Sequence, residues 1–316
     1  MPSVTYLVEH LTRYRYSALA WDAFGTLHLE PQSNPFQAVT HFALTLEPPC
    51  PLEMYLDAFG NRVHDYHMAE AHQTLAFLSR FLAEVSTVPR LPEAHEPALN
   101  ATYHDLERHR GRLFEFTLPT AKTPGADWSA LLGYPSPEPD APIVPYLLGL
   151  NTFLYRYFKY TPGVTSVKTT ALEAAYQRQG VCQDYAHTML AFLRAHRVPA
   201  RYVSGYLYIG QGSRLVGDAA SHAWVEVYLP EYGWLGLDPT NGVPSSETHI
   251  RLAVGRDYDD VAPVRGTRRG GGKGELEVKV RVTVQELEEK RVGAPAEEQR
   301  GSGSSGGSRS EGAEES

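Results

Sequence analysis

The chain has 316 residues, 42% of them hydrophobic and 21% charged, with a net charge of -8 and a sequence pI near 5.9. That is ordinary globular material, ample for two cores, and the acidic balance, with no basic stripe interleaved with aromatics, excludes a nucleic-acid partner. Two cysteines, Cys50 and Cys182, form no disulfide framework; Met1-Pro2-Ser3 opens no leader, and no apolar run nears the ~18 residues of a membrane helix, so a cytoplasmic protein with no membrane partner is expected.

In chain order, residues 6–16 alternate like a strand. Residues 74–85 admit two readings, because Leu75, Leu78 and Leu82 suit a helix while a strand stays open. Cys50 sits between Pro49 and Pro51 in a loop and has no catalytic setting. Val88-Pro89-Arg90-Leu91-Pro92-Glu93 starts a Pro-rich linker, and Thr123-Pro124-Gly125 and Pro135-Ser136-Pro137-Glu138-Pro139 mark surface loops before a helix near Tyr146. Thr170-Ala171-Leu172-Glu173 has the pattern of a capping box opening a short helix, and Gly180 is of the type that closes one. Cys182 then starts the next helix, whose Met189, Leu190 and Leu193 keep helical spacing until Arg197-Val198-Pro199. A thiol in a first helical turn meets unpaired N–H groups and a partial positive charge. Both favour a thiolate over the free thiol of pKa ~8.5, and the same N–H groups suit an oxyanion. Gln183 and Asp184 share that turn, where a substrate contact and a purely structural role are equally open.

Residues 221–229 alternate strictly, with His222, Trp224, Glu226 and Tyr228 on one face and Ala223, Val225, Val227 and Leu229 on the other. Trp224 thus shares a face with His222, either walling an acyl site or filling a core. Pro230-Glu231-Tyr232-Gly233 is turn chemistry, and residues 234–238 read as the returning strand of a hairpin, ended by Asp238-Pro239. A turn centred between Glu231 and Tyr232 leaves His222 and Asp238 three positions out of register. They are neighbours, with room for a bulge. A thiol, an imidazole and a carboxylate then occupy the places of a nucleophile, its base and the base's orienter. No metal is expected: Cys182 and His187 lie on different helix faces, and His64 and His67 on opposite sides of a strand. Residues 275–284 form a clean alternation, one valine-rich face and one charged, which predicts a strand packed on one side. From Arg300 the Gly/Ser/Glu composition cannot offset its ordering entropy and should be disordered.

Gly180-Val181-Cys182-Gln183-Asp184-Tyr185-Ala186, Val198-Pro199-Ala200-Arg201-Tyr202-Val203-Ser204-Gly205-Tyr206, His222-Ala223-Trp224-Val225-Glu226-Val227 and Gly233-Trp234-Leu235-Gly236-Leu237-Asp238-Pro239-Thr240 resemble, in order, the core of the bacterial transglutaminase-like superfamily. The resemblance implies an α+β, papain-like core, with a helix-borne cysteine packed on an antiparallel sheet, and assigns Cys182, His222 and Asp238 as its catalytic residues. It also implies a smaller β-rich N-terminal domain, which turns residues 74–85 into a strand, and an oxyanion-hole aromatic upstream of the cysteine, placed at Tyr160. The expected division is residues 1–88 for that domain, 89–113 for a linker, 114–290 for the catalytic domain with a C-terminal strand, and 291–316 for a disordered tail. The expected function is cofactor-free cleavage of peptide or protein amides by a cysteine protease or amidase, with a transglutaminase or a non-catalytic binding module as alternatives. The oligomeric state stays open.

Overall fold

The computed structural model describes residues 2–88, 91–92, 97–109, 111–210, 213, 215 and 221–285. The first part of the chain is all strand: β1 (Ser3–Glu30), β2 (Gln37–Glu47), β3 (Leu52–Leu56), β4 (Arg62–Met68) and β5 (His72–Ser86). Helical turns α1 (Tyr103–Glu107) and α2 (Trp128–Leu132) lead to α3 (Ile143–Tyr157), β6 (Lys159–Tyr160), α4 (Ala171–Gln177), β7 (Gln179–Gly180) and α5 (Cys182–Ala195). Strands β8 (Ala200–Leu207), β9 (His222–Leu229), β10 (Gly233–Asp238), β11 (Val243–Pro244) and β12 (His249–Gly255) follow, then α6 (Tyr258–Val261), β13 (Val264–Gly270) and β14 (Gly274–Val284).

The first sheet runs β2-β5-β1-β4-β3, with β13 and β14 also on β1. β1 is its spine. The first half of β1 pairs with β5 on one edge and β14 on the other, and its second half with β4 and β13. Residues 74–85 are strand because alternation, not helical spacing, decides their burial: Leu75, Phe77, Ser79, Phe81, Ala83 and Val85 all face inward, while Leu78 and Leu82 take the other face. β14 corrects the placement of the C-terminal strand with the catalytic region. Its residues pair one for one with β1, from Tyr6 opposite Val284 to Tyr16 opposite Gly274. Alternation gives a strand its faces but does not name its partner. Part of the stretch expected as linker also packs inward, since Ala101 and Leu106 are buried in the same core as α5.

The second sheet runs β11-β10-β9-β8-β12. α5 lies on it, with Met189, Leu190 and Leu193 in one core with Ala223, Val225, Val227 and Leu229. α5 is buried from Gln183 to Arg194, as expected of a helix running through a core rather than over it. The two sheets share a further cluster, in which Tyr6, Val8, Phe81 and Val85 meet Tyr206, Ile250 and Leu252. At roughly 1.5–3 kcal/mol for each fully buried Ile or Phe side chain, this cluster ties the two sheets together.

Two carboxamides complete the join. β12 is an edge strand, and Gln37 donates to the Arg251 carbonyl (2.9 Å) while accepting from the Arg251 N–H (2.9 Å). Asn61 does the same at Val254, with 2.7 and 2.9 Å. Side chains of the first sheet thus satisfy an edge that would otherwise carry unpaired backbone groups. Among the described residues no helix is long and apolar enough to cross a membrane.

Candidate active site

Cys182 is the first residue of α5. The helix start is pinned by Asp184, whose Oδ2 accepts from the Val181 N–H (2.7 Å) and from the Thr165 hydroxyl (2.6 Å). Burial pushes the Asp184 carboxyl up, against the hydrogen bonds from Thr165 and Val181 and the charge of Lys122. Gly180 does not end the preceding helix; Arg178, in the left-handed region at φ 53°, caps α4. Gly180 is needed for another reason, because a Cβ there would lie 2.4 Å from Asp184 Oδ2. β6 and β7 form a two-residue parallel ladder that sets Tyr160 beside Gly180, two positions before the thiol.

His222 begins β9 and Asp238 ends β10. The hairpin closes through a three-residue loop with Leu229 opposite Gly233, and Leu237 faces Val225 without a bulge. Asp238 therefore continues opposite Trp224, two positions from His222 and on its face, where the turn centre read from the sequence would have needed a bulge. Their side chains meet: His222 Nε2 lies 2.8 Å from Asp238 Oδ2, with neither side chain exposed. His222 Nδ1 has no hydrogen-bond partner among the described residues, and the Cys182 thiol is near enough to act on the ring. Burial opposes a charged imidazole, but the Asp238 charge, its hydrogen bond and Cys182 outweigh it and push His222 up to about 10. Burial likewise opposes a charged Asp238. The His222 charge and the hydrogen bonds from His222 and His249 prevail and hold the carboxyl well below the usual range.

Sequence reading missed His249 and Asn241. Asn241 Nδ2 donates to Asp238 Oδ2 at 2.7 Å, and the Thr240 and Asn241 N–H groups donate to Oδ1 at 2.9 and 3.3 Å. His249 Nε2 lies 3.2 Å from Oδ2. The Asx-turn chemistry of Asp238-Pro239-Thr240-Asn241 could have pointed to Asn241, whereas His249 arrives through the pairing of β12 with β8, which leaves no local signal.

Cys182, His222, Tyr160 and Gln183 line one cleft of about 250 Å³. Asp184 does not; it is buried under the helix start. Trp224 is also outside the cleft, 1% exposed, stacked on His222 with ring centres 6.2 Å apart and edge-on to His249 at 5.3 Å. It backs the imidazole and lines a separate cavity with Arg201, Glu226, Trp234 and Arg251. There Glu226 accepts from both Arg201 Nε and Nη2.

A family model described as the transglutaminase-like superfamily matches residues 143–239, a span that holds Tyr160, Cys182, His222 and Asp238, and one for the bacterial transglutaminase-like N-terminal region matches residues 6–84. The chain belongs to the transglutaminase-like superfamily. An uncharacterized protein of Mycobacterium tuberculosis is 35% identical over 273 residues, covering 83% of this chain and 86% of its own. A protein-glutamine gamma-glutamyltransferase of Pseudomonas aeruginosa is 46% identical over 121 residues, 36% of this chain and 18% of its own. Among solved structures, a candidate cysteine protease from Cytophaga hutchinsonii superposes with a TM-score of 0.68 at 19% identity, over 91% of this chain and 92% of that one, which shows a shared fold.

In this transglutaminase-like site, His222, Asp238 and His249 also bring ligand-type atoms within 4.8 Å of one another, a donor set of the kind that holds zinc or iron. The Ser246 N–H donates to His249 Nδ1 at 3.1 Å, which puts the proton of the neutral ring on Nε2. That atom therefore donates to Asp238 and offers no lone pair to an ion.

Proposed function

We infer that this protein is a cysteine-dependent acyl-transfer enzyme that hydrolyses amide bonds through a thioester on Cys182. The observation that carries the reading is the meeting of three side chains, with His222 bound through Nε2 to the buried Asp238 and sharing one cleft with the Cys182 thiol that acts on its ring. Cys182 passes its proton to His222 Nδ1, and the sulfur attacks the amide carbonyl carbon. The carbonyl electrons move onto oxygen, and the Cys182 and Gln183 N–H groups, which come before the first helical hydrogen bond from the Asp184 N–H, meet that charge. Tyr160, paired with Gly180 and lining the cleft, is the side chain we assign to assist. As the oxyanion collapses the C–N bond breaks, and His222 gives its proton to the departing amine. Water, losing a proton to His222, then attacks the thioester; the C–S bond breaks and the proton returns to sulfur.

Transamidation is the second reading, supported by the likeness over 121 residues to a relative named as a glutamyltransferase. An incoming amine then replaces water in the second step. One experiment separates the two: peptide and glutamine-containing substrates are incubated with the protein and with Cys182→Ala, with and without a dansylated primary amine. Free acid formed only by the wild type is the expected product. Amine incorporation exceeding hydrolysis selects the second reading, and no product dependent on Cys182 leaves a non-catalytic binding module.

A further inference from the structure

The cleft that holds Cys182 has one wall from each sheet. On the first sheet, alternation along β1 turns His10, Thr12 and Tyr14 into it, and β14 adds Leu276 and Val278. The register makes these a single patch, since Tyr14 is paired with Leu276, Thr12 with Val278 and His10 with Val280. The intervening residues carry the charge on the opposite face, where Glu277 pairs with Arg13, Arg15 and Lys279. Leu276 is 59% exposed and Val278 41%, unusual for aliphatic side chains beside a nucleophile. Among the described residues that line the cleft there is no Asp, Glu, Lys or Arg. His10 adds no charge either, because burial lowers it to about 4 and its ring is bonded between the Tyr206 and Thr12 hydroxyls at 2.8 and 3.0 Å.

We propose that the β1/β14 wall is the acyl-group pocket of the enzyme, and that it selects substrates with an uncharged, apolar or aromatic side chain next to the attacked carbonyl. The inference rests on the acyl-enzyme reading above. The acyl portion is the part a thioester keeps tethered to Cys182, so an apolar wall of the thiol's own cleft stays in its reach until the second half-reaction ends. A charged side chain there would exchange water for leucine, valine and tyrosine without an ion partner, a cost that an aliphatic or aromatic one avoids.

The test uses N-acetyl-aminoacyl chloromethyl ketones bearing Leu, Phe, Glu or Lys, with inactivation rates measured on the full chain and the adduct mapped by mass spectrometry. Leu and Phe reagents should label Cys182 about tenfold faster than Glu and Lys reagents. Two charge-bearing variants give opposite signs. Val278→Glu should raise the Lys-to-Leu rate ratio about tenfold, and Leu276→Lys should raise the Glu-to-Leu ratio by a similar factor. Because each variant is read as a ratio within one protein, partial loss of fold cannot mimic the pair. Near-equal rates for all four reagents, or ratios that neither variant moves, overturn the proposal and leave the acyl-enzyme reading standing. Failure of Cys182 to react with these reagents and with iodoacetamide as well removes both.

Discussion

At Asp238, five described donors converge on one carboxylate: two ring N–H groups, two backbone N–H groups and the Asn241 amide. This crowding changes which substitution is informative. Asp238→Ala leaves several buried donors unpaired at about 1–3 kcal/mol each, so it costs stability as well as turnover. Asp238→Asn keeps the volume and the acceptor for the Thr240 N–H, but sets an N–H₂ group against the imidazole, which disfavours the productive tautomer. It should lower kcat by a factor on the order of 10⁴; near wild-type turnover would make Asp238 a turn residue and the triad a dyad. The same pair has a pH signature. His222 is raised from 6.5 to about 10, so its charged form stabilises the fold in full below the unfolded value, and the contribution is lost as pH rises through the folded one. The thermal midpoint should fall across that window in the wild type and fall less in His222→Gln. Parallel curves would show that the imidazolium adds nothing to the fold.

At the element scale, periodicity was the signal that could be read locally. The apolar spacing of α5 is written in 14 residues and the strict alternation of β9 in 8, and helix start, strand and turn chemistry were all legible there. Register across the hairpin was not. The three-residue loop through Glu231, at φ 61°, shifts the pairing by one from the centre read in the sequence, and one position is the difference between the same face and the opposite one. His249 and the cleft wall were invisible for a related reason: β12 on β8 and β14 on β1 pair residues far apart in the chain. Gly180 was legible as a special residue but for the wrong cause. Gly180→Ala would drive its Cβ to 2.4 Å from Asp184 Oδ2, which is already held by Val181 and Thr165. We expect a loss of about 1–3 kcal/mol in urea unfolding, with kcat falling further than stability because the displaced cap carries Cys182. An unchanged unfolding midpoint would show that the helix start yields easily.

At the scale of the whole molecule, the second sheet and its helices are inserted between the strands of the first, since β1 to β5 precede them and β13 and β14 follow. Ending the chain before Glu275 removes β14, exposes one edge of β1 from Tyr6 to Tyr16 and strips Leu276 and Val278 from the cleft. The thermal midpoint should drop by about 5 °C or more. Ending it before Arg300 should change nothing. That segment lies outside the described residues, and the expectation comes from its Gly/Ser/Glu composition alone. Equal midpoints for the two truncations would mean that β14 is an ornament of the sheet.

On a ribosome, this order of elements becomes an order in time. Cys182, its helix and the strands bearing His222 and Asp238 are all synthesised before Leu276 and Val278, and at 5–20 residues per second the gap between thiol and last wall residue is roughly 5–20 s. A nascent chain can thus hold Cys182 and His222 while the β14 half of the proposed acyl wall is still missing. On that proposal, selectivity is complete only once the last described strand has been made.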